Sequence, residues 1–257
     1  MLCGIPEVGK SKILGVLQEV LLGAENVSNI PLQNLNDRFQ PAELFSKVAN
    51  IYADLPDKKI EDVGMFKSAT GEDFITGERK HKDPFSFKSY ARFVYSCNDL
   101  PLNYGDRSDA FYRRIIIIRF NKPVPKDKKD FNLMDKLKLE ADGILTWAIA
   151  GLKRLIANNY QFNETERTIA ETHRYKVKNN NVLAFVEENC VIEAGAVTYR
   201  QELYEVYQEY CKNGGVGKPM SAANFNENIC KIDPLKIIKT DEAVTRRRIF
   251  SGIRLMK

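Results

Sequence analysis

Between Lys10 and Leu22 the apolar residues Ile13, Leu14, Val16, Leu17, Val20 and Leu21 recur at helical spacing and form one broad face, with Gly23 placed to end the helix. Ala49 to Asp54 and Arg92 to Cys97 are short apolar runs that end in polar residues. Ile115 to Ile118 is β-branched throughout. Such runs are what buried parallel strands require, and a helix followed by three of them predicts an α/β core. The lysine-rich stretch Asn121 to Asp130, with Pro123 and Pro125, reads as an exposed connector. Helical periodicity then resumes through Leu133, Leu137, Ile144, Leu145, Trp147, Ala148, Leu152 and Ile156, a helical lid or subdomain.

A polar stretch, Lys176 to Asn181, precedes a second block. Val182 to Asn189 and Thr198 to Cys211 pattern as helices, the latter opened by a capping box of Thr198 and Gln201. Gly214, Gly215 and Gly217 break the chain, a third helix runs from Ser221 to Ile229, and Leu235–Lys239 and Arg248–Ile253 read as two strands joined near Asp241. Three helices and a hairpin predict a small winged-helix domain over 182–257, after an α/β domain over 1–178.

Composition narrows this little. A chain of 257 residues, 44% hydrophobic and 28% charged, is long enough for one large domain and one small one. The net charge of +5 is mild. The five cysteines (Cys3, Cys97, Cys190, Cys211, Cys230) form no CxxC pair and have only His81 and His173 as companions, which argues against a zinc site or a disulfide framework. No apolar run approaches the roughly 20 residues needed to cross a bilayer, and no signal peptide is evident, so a soluble cytoplasmic protein is expected.

The strongest chemical signal is Gly4-Ile5-Pro6-Glu7-Val8-Gly9-Lys10-Ser11, which fits G-x-x-x-x-G-K-[ST] and runs directly into the first helix. Glycines let backbone N–H groups wrap phosphates, the lysine reaches the β and γ oxygens, the serine hydroxyl ligates Mg2+, and the helix N-terminus adds its dipole. ATP and Mg2+ are therefore the expected cofactors. Only Met1, Leu2 and Cys3 precede the loop, so its leading strand is truncated or very short. Asp54, at the end of the run Ala49–Ala53, is placed to be the second acid of the magnesium site, with Asp57, Glu61 and Asp62 nearby as competitors.

Two further clusters are basic. Ile75 to Phe87 carries Gly77 at a turn and Arg79, Lys80, His81 and Lys82 near its tip. From Lys231 to the end there are eight basic residues (Lys231, Lys236, Lys239, Arg246, Arg247, Arg248, Arg254, Lys257) against three acids (Asp233, Asp241, Glu242), a cationic wing suited to duplex DNA. Tyr199, Tyr204, Tyr207 and Tyr210 could stack on bases, but their spacing favours core packing.

The ordered series Ile51-Tyr52-Ala53-Asp54, Thr70-Gly71-Glu72-Asp73, Glu78-Arg79-Lys80-His81-Lys82-Asp83-Pro84-Phe85, Ser96-Cys97-Asn98-Asp99-Leu100-Pro101 and Phe111-Tyr112-Arg113-Arg114 resembles the motifs of phage and plasmid primase-helicases of superfamily 3, relatives of the poxvirus primase-helicase. The series covers residues 4 to 120, and the tail is similar to that family's C-terminal domain more loosely. The resemblance implies an AAA+-like ATPase that assembles as a homo-hexamer with ATP sites between subunits. It implies Asp54 as the Walker B acid, Asn98 as the sensor that orients water, and Arg113 or Arg114 as an arginine finger, with Arg113 favoured. Lys80 and His81 are implied as the hairpin residues that hold single-stranded DNA. It further implies an oligomerisation region, and often a primase module, ahead of the loop, and a chain working in the cytoplasm of a bacterial host. Many members carry two adjacent acids where Asp54 stands alone. The function expected is an ATP-dependent DNA helicase of phage- or plasmid-type replication. The alternative is a catalytically impaired fragment that acts as a DNA-binding replication or initiation module, while a P-loop small-molecule kinase leaves the basic hairpin and wing without use.

Overall fold

The computed structural model describes residues 1–106, 108–214, 217–242 and 246–256. Gly215 in the glycine break and Lys257 in the basic tail lie outside the described residues. The chain divides into two compact units, Met1–His173 and Arg174–Lys257.

The first unit is mixed α/β with a parallel central sheet. Its elements are β1 (Leu2–Gly4), α1 (Lys10–Gly15), β2 (Val27–Ser28), β3 (Ala49–Tyr52), α2 (Gly64–Thr70), β4 (Phe74–Gly77), β5 (Phe85–Lys88), β6 (Arg92–Cys97), α3 (Asp109–Tyr112), β7 (Ile118–Phe120), α4 (Leu133–Leu139) and α5 (Ala141–Ala157). Five strands form the sheet in the order β2-β3-β6-β1-β7. The leading strand is thus present, three residues long, and held on both sides: Leu2 pairs with Ser96 and with Ile118. β3 and β6 pair from Ala49↔Arg92 to Tyr52↔Tyr95. Leu2, Leu14, Val27, Ala49 and Ile51 bury one face of the sheet, where Leu17, Leu22, Val94 and Phe120 join them.

The helix expected over Lys10–Leu22 is continuous, but it widens from Val16 to Leu22 into π-helical turns with no fully buried residue. The strand expected at Ile115–Ile118 is displaced to Ile118–Phe120. Its reason is local: the Ile115 N–H closes a turn onto Tyr112 O after α3, and extended pairing begins only where the Ile118 N–H reaches Met1 O. Ile115 and Ile117 are buried all the same, packed from an irregular segment.

β4 and β5 form a separate antiparallel hairpin in which Gly77 pairs with Phe85. Gly77 is therefore the last strand residue and not the turn. A Cβ there would come within 3.0 Å of Ala42 Cα and of the Phe85 ring, so close packing, and not a bend, explains the glycine.

The division between units falls within α6 (Glu166–Asn179). The second unit contains α7 (Asn181–Asn189), β8 (Cys190–Tyr199), α8 (Arg200–Lys212), α9 (Ala222–Ile232), β9 (Ile238–Asp241) and β10 (Arg248–Leu255). The expected two-stranded hairpin is a three-stranded antiparallel sheet, order β8-β10-β9. The capping box at Thr198 does not form. Thr198 is a β8 residue whose hydroxyl donates to Ile253 O at 2.9 Å, and α8 begins two residues later without a side-chain cap. Asn180 and Ser221 do cap α7 and α9, accepting from N–H groups of the first turn. Phe185, Tyr207 and Phe225 meet in one core, Tyr207 and Phe225 stacked at 4.4 Å between centroids. Tyr207 is fully buried, Tyr204 and Tyr210 are half-buried, and Tyr199 lies at the end of β8, off the helix.

Candidate functional site

Because β1, β3 and β6 are neighbours running in one direction, their C-terminal ends emerge along one edge of the sheet, the edge where open α/β sheets place ligands. β1 ends at Gly4, β3 is followed by Asp54, and β6 by Asn98. The three chemically distinctive segments of the sequence are thereby gathered by the sheet.

Gly4 opens the loop with φ +151°, and a Cβ there would lie 1.8 Å from the Phe120 carbonyl oxygen of β7, so no larger residue fits without moving backbone. Gly9 closes the loop at φ 90° and starts α1, its carbonyl accepting from Lys12 and Ile13. Lys10 is 5% exposed. Its ammonium donates to Gly4 O, to Ile5 O at 2.9 Å and to Asn98 Oδ1 at 3.0 Å. Asp54 is exposed, with a backbone φ of 53° that a non-glycine residue seldom adopts, and its N–H is held by Ser96 Oγ at 3.1 Å. Behind this edge Cys3 and Cys97 sit side by side in register. Cys97, hydrogen-bonded to Cys3 and buried, has its thiol pKa pushed well up, while the hydrogen bond from Cys97 lowers that of Cys3.

A cavity of about 1170 Å³ opens over this edge. Gly9, Lys10, Ser11, Asp54, Asn98 and Lys129 line its polar side, and the π-helical residues Val16, Leu17 and Leu21 face Phe131, Ile144 and Trp147 across its apolar side. Ser11 and Asp54 bring a hydroxyl and a carboxylate, hard oxygens of the kind Mg2+ accepts beside substrate phosphates. One cavity residue escaped the sequence pattern: Lys129, which pairs with the loop residue Glu7 at 2.8 Å. The available signal was an acid inside the loop and a lysine-rich connector downstream.

Arg113 and Arg114 do not line the cavity. Arg113 is exposed, whereas Arg114 donates to Ala110 O one turn back. On the hairpin, Arg79, Lys80, His81 and Lys82 are all exposed, with Lys82 N–H closing a turn on Arg79 O and His81 at φ 59°. Arg79 is partly spent on packing, its guanidinium 5.2 Å from the Phe85 ring centroid and 6.0 Å from that of Phe45. In the second unit Arg246, Arg247 and Arg248 are exposed, and Arg247 lies over the Tyr199 ring at 5.5 Å.

Residues 2–114 match a family of unknown function, DUF5906, and residues 177–236 match the poxvirus D5 protein-like family. The first span contains every candidate residue of the first unit, and the second ends before Arg246. Solved structures of the apo C-terminal region of NrS-1 share the fold. Two of them align with TM-scores of 0.57 and 0.58 at 15% identity over 98% of this chain. The chain spans 65% and 66% of their lengths. No helix among the described residues is long and apolar enough to cross a membrane.

Proposed function

We propose that the chain is the ATP-driven motor and C-terminal DNA-binding part of a replicative DNA helicase of the superfamily 3 primase-helicase type. The observation that carries this reading is the meeting of Lys10, Asp54 and Asn98, from three separate strand ends, around one cavity beside a glycine-bounded loop. In this assignment the loop Gly4, Ile5, Pro6, Glu7, Val8, Gly9, Lys10 and Ser11 is a P-loop that wraps the phosphates of ATP. Lys10 leaves its own loop carbonyls to neutralise the β and γ oxygens, and Asn98, released by Lys10, orients the attacking water. Ser11 and Asp54 would hold Mg2+, which supplies charge neutralisation at the transferred phosphate. Helices α4 and α5 act as an AAA+-like lid.

Arg113, exposed and not among the residues that line its own cavity, is the preferred arginine finger for a neighbouring subunit of a homo-hexamer, with Arg114 the alternative. The poxvirus D5-like match and the shared NrS-1 fold support a replication role with DNA as the partner. Lys80 and His81, flanked by Arg79 and Lys82 at the hairpin tip, would travel along single-stranded DNA, a contact that is electrostatic and tolerant of sequence. In the second unit α7, α8, α9 and the β8-β10-β9 sheet are assigned as a winged helix, with α9 and Arg246 to Arg248 facing duplex DNA.

The test is ATP hydrolysis by the purified chain with and without single-stranded DNA, with Lys10→Ala as the blank. DNA-stimulated turnover that falls about a hundredfold or more in Lys10→Ala is the expected result, the scale of losing a charge-stabilising group at a transferring phosphate. Turnover unchanged by Lys10→Ala would overturn the assignment. Retained DNA binding without turnover would favour a DNA-binding module.

A further inference from the structure

Glu7 stands inside the loop where, on the nucleotide reading above, a polyphosphate must sit. A lone carboxylate there would repel it. The structure gives Glu7 a partner from 122 positions downstream: Lys129 Nζ lies 2.8 Å from its Oε1. Two features hold the connector in place for this. β7 runs against Gly4, so the chain leaves the sheet beside the loop, and the Val124 N–H donates to the Glu7 carbonyl at 3.0 Å.

Lys129 also lines the cavity with Lys10 and Ser11, and its side chain is about one-third exposed. Of the lysines that line the cavity, Lys10 and Lys129 differ in what they can still offer. An ammonium has three N–H donors. Lys10 directs its three at Gly4 O, Ile5 O and Asn98 Oδ1, whereas Glu7 is the sole ion-pair partner of Lys129 among the described residues. Lys129 therefore faces an incoming anion with donors to spare while the loop lysine is engaged.

We propose that Lys129 is a second phosphate-contacting cation of this cavity and that Glu7 is its positioning residue, holding the ammonium at the loop with two donors left for the polyphosphate of a nucleoside triphosphate. The inference rests on the cavity being a nucleotide site. Glu7 is then the anchor of a bridging lysine, which explains how an acid is accommodated in a phosphate loop.

The experiment is competition of ATP and of ADP against a fluorescent nucleotide on the full chain, for the unmodified protein, Lys129→Gln, Glu7→Gln, the double variant, and Lys10→Ala as the blank. Lys129→Gln should weaken ATP about tenfold, the worth of one charge-assisted hydrogen bond, and ADP by a smaller factor. The double variant should recover part of the loss, because it removes the carboxylate that Lys129→Gln leaves unpaired. A role limited to strapping the connector would weaken ATP and ADP by equal factors without recovery in the double variant, and either that result or unchanged ATP affinity would overturn the proposal. Failure of the unmodified chain to bind either nucleotide would instead overturn the nucleotide reading itself.

Discussion

Helices α5 and α7 carry comparable apolar patterns and meet opposite fates. α7 buries six of its nine residues, Asn181 to Val186, whereas α5, with 17 residues, buries none. Leu145, Trp147, Ile149, Leu152 and Ile156 of α5 are all exposed, and Ile144 and Trp147 face the cavity. In the second unit apolar periodicity builds a core. In the first it furnishes a wall beside a polar site. Stability and ligand chemistry should therefore separate under mutation, and the largest expected effect lies in the second unit. Phe225 is fully buried and packs against Tyr207, Tyr204 and Phe185. Phe225→Ala should cost about 3–5 kcal/mol in chemical denaturation, through lost burial and a cavity the aromatic core cannot close. A cost below about 1 kcal/mol would mean that this core is not the main source of the unit's stability.

A middle-sized effect distinguishes two neighbours at the hairpin tip. Lys80 is exposed and forms no ion pair among the described residues, while Arg79 covers Phe45 and Phe85. Lys80→Ala should leave the denaturation midpoint unchanged and reduce the salt dependence of single-stranded DNA binding by about 0.7 in the log–log slope, one released counterion contact. Arg79→Ala should change the slope similarly and also cost about 0.5–1 kcal/mol of stability, the cation–π contribution at an exposed site. Equal slopes for Lys80→Ala and the unmodified chain would remove the tip from the DNA path.

These contrasts show which parts of the molecule sequence patterns could and could not disclose. β6 falls where its apolar run predicts; Lys10 and Asp54 stood out as candidates because each follows a recognisable loop or strand, and Asn98 because of the family resemblance. β8 was not identifiable. Its middle, Glu193-Ala194-Gly195-Ala196, has little strand propensity, and the element exists through distant pairing with β10, from Cys190↔Leu255 to Tyr199↔Ile249. The same pairing draws Thr198 into the sheet and defeats the local capping pattern. Glu7–Lys129 is likewise a product of the tertiary fold, since only the adjacency of β7 and β1 brings the connector to the loop. Local chemistry was legible where one segment holds it, and hidden where two remote segments must meet.

The smallest expected effect tests the premise of the opening contrast. Leu152 is half exposed on a helix without a buried residue, so removing most of its side chain takes little apolar area out of contact and opens no cavity. Leu152→Ala should shift stability by no more than about 0.5 kcal/mol, partly because alanine is the better helix former. A loss of 2 kcal/mol or more, the scale of a core leucine, would mean that the α5 face is covered in solution. Measuring the midpoint at several protein concentrations then separates the two cases: a concentration-dependent loss belongs to association between copies, and a constant one to burial within the chain.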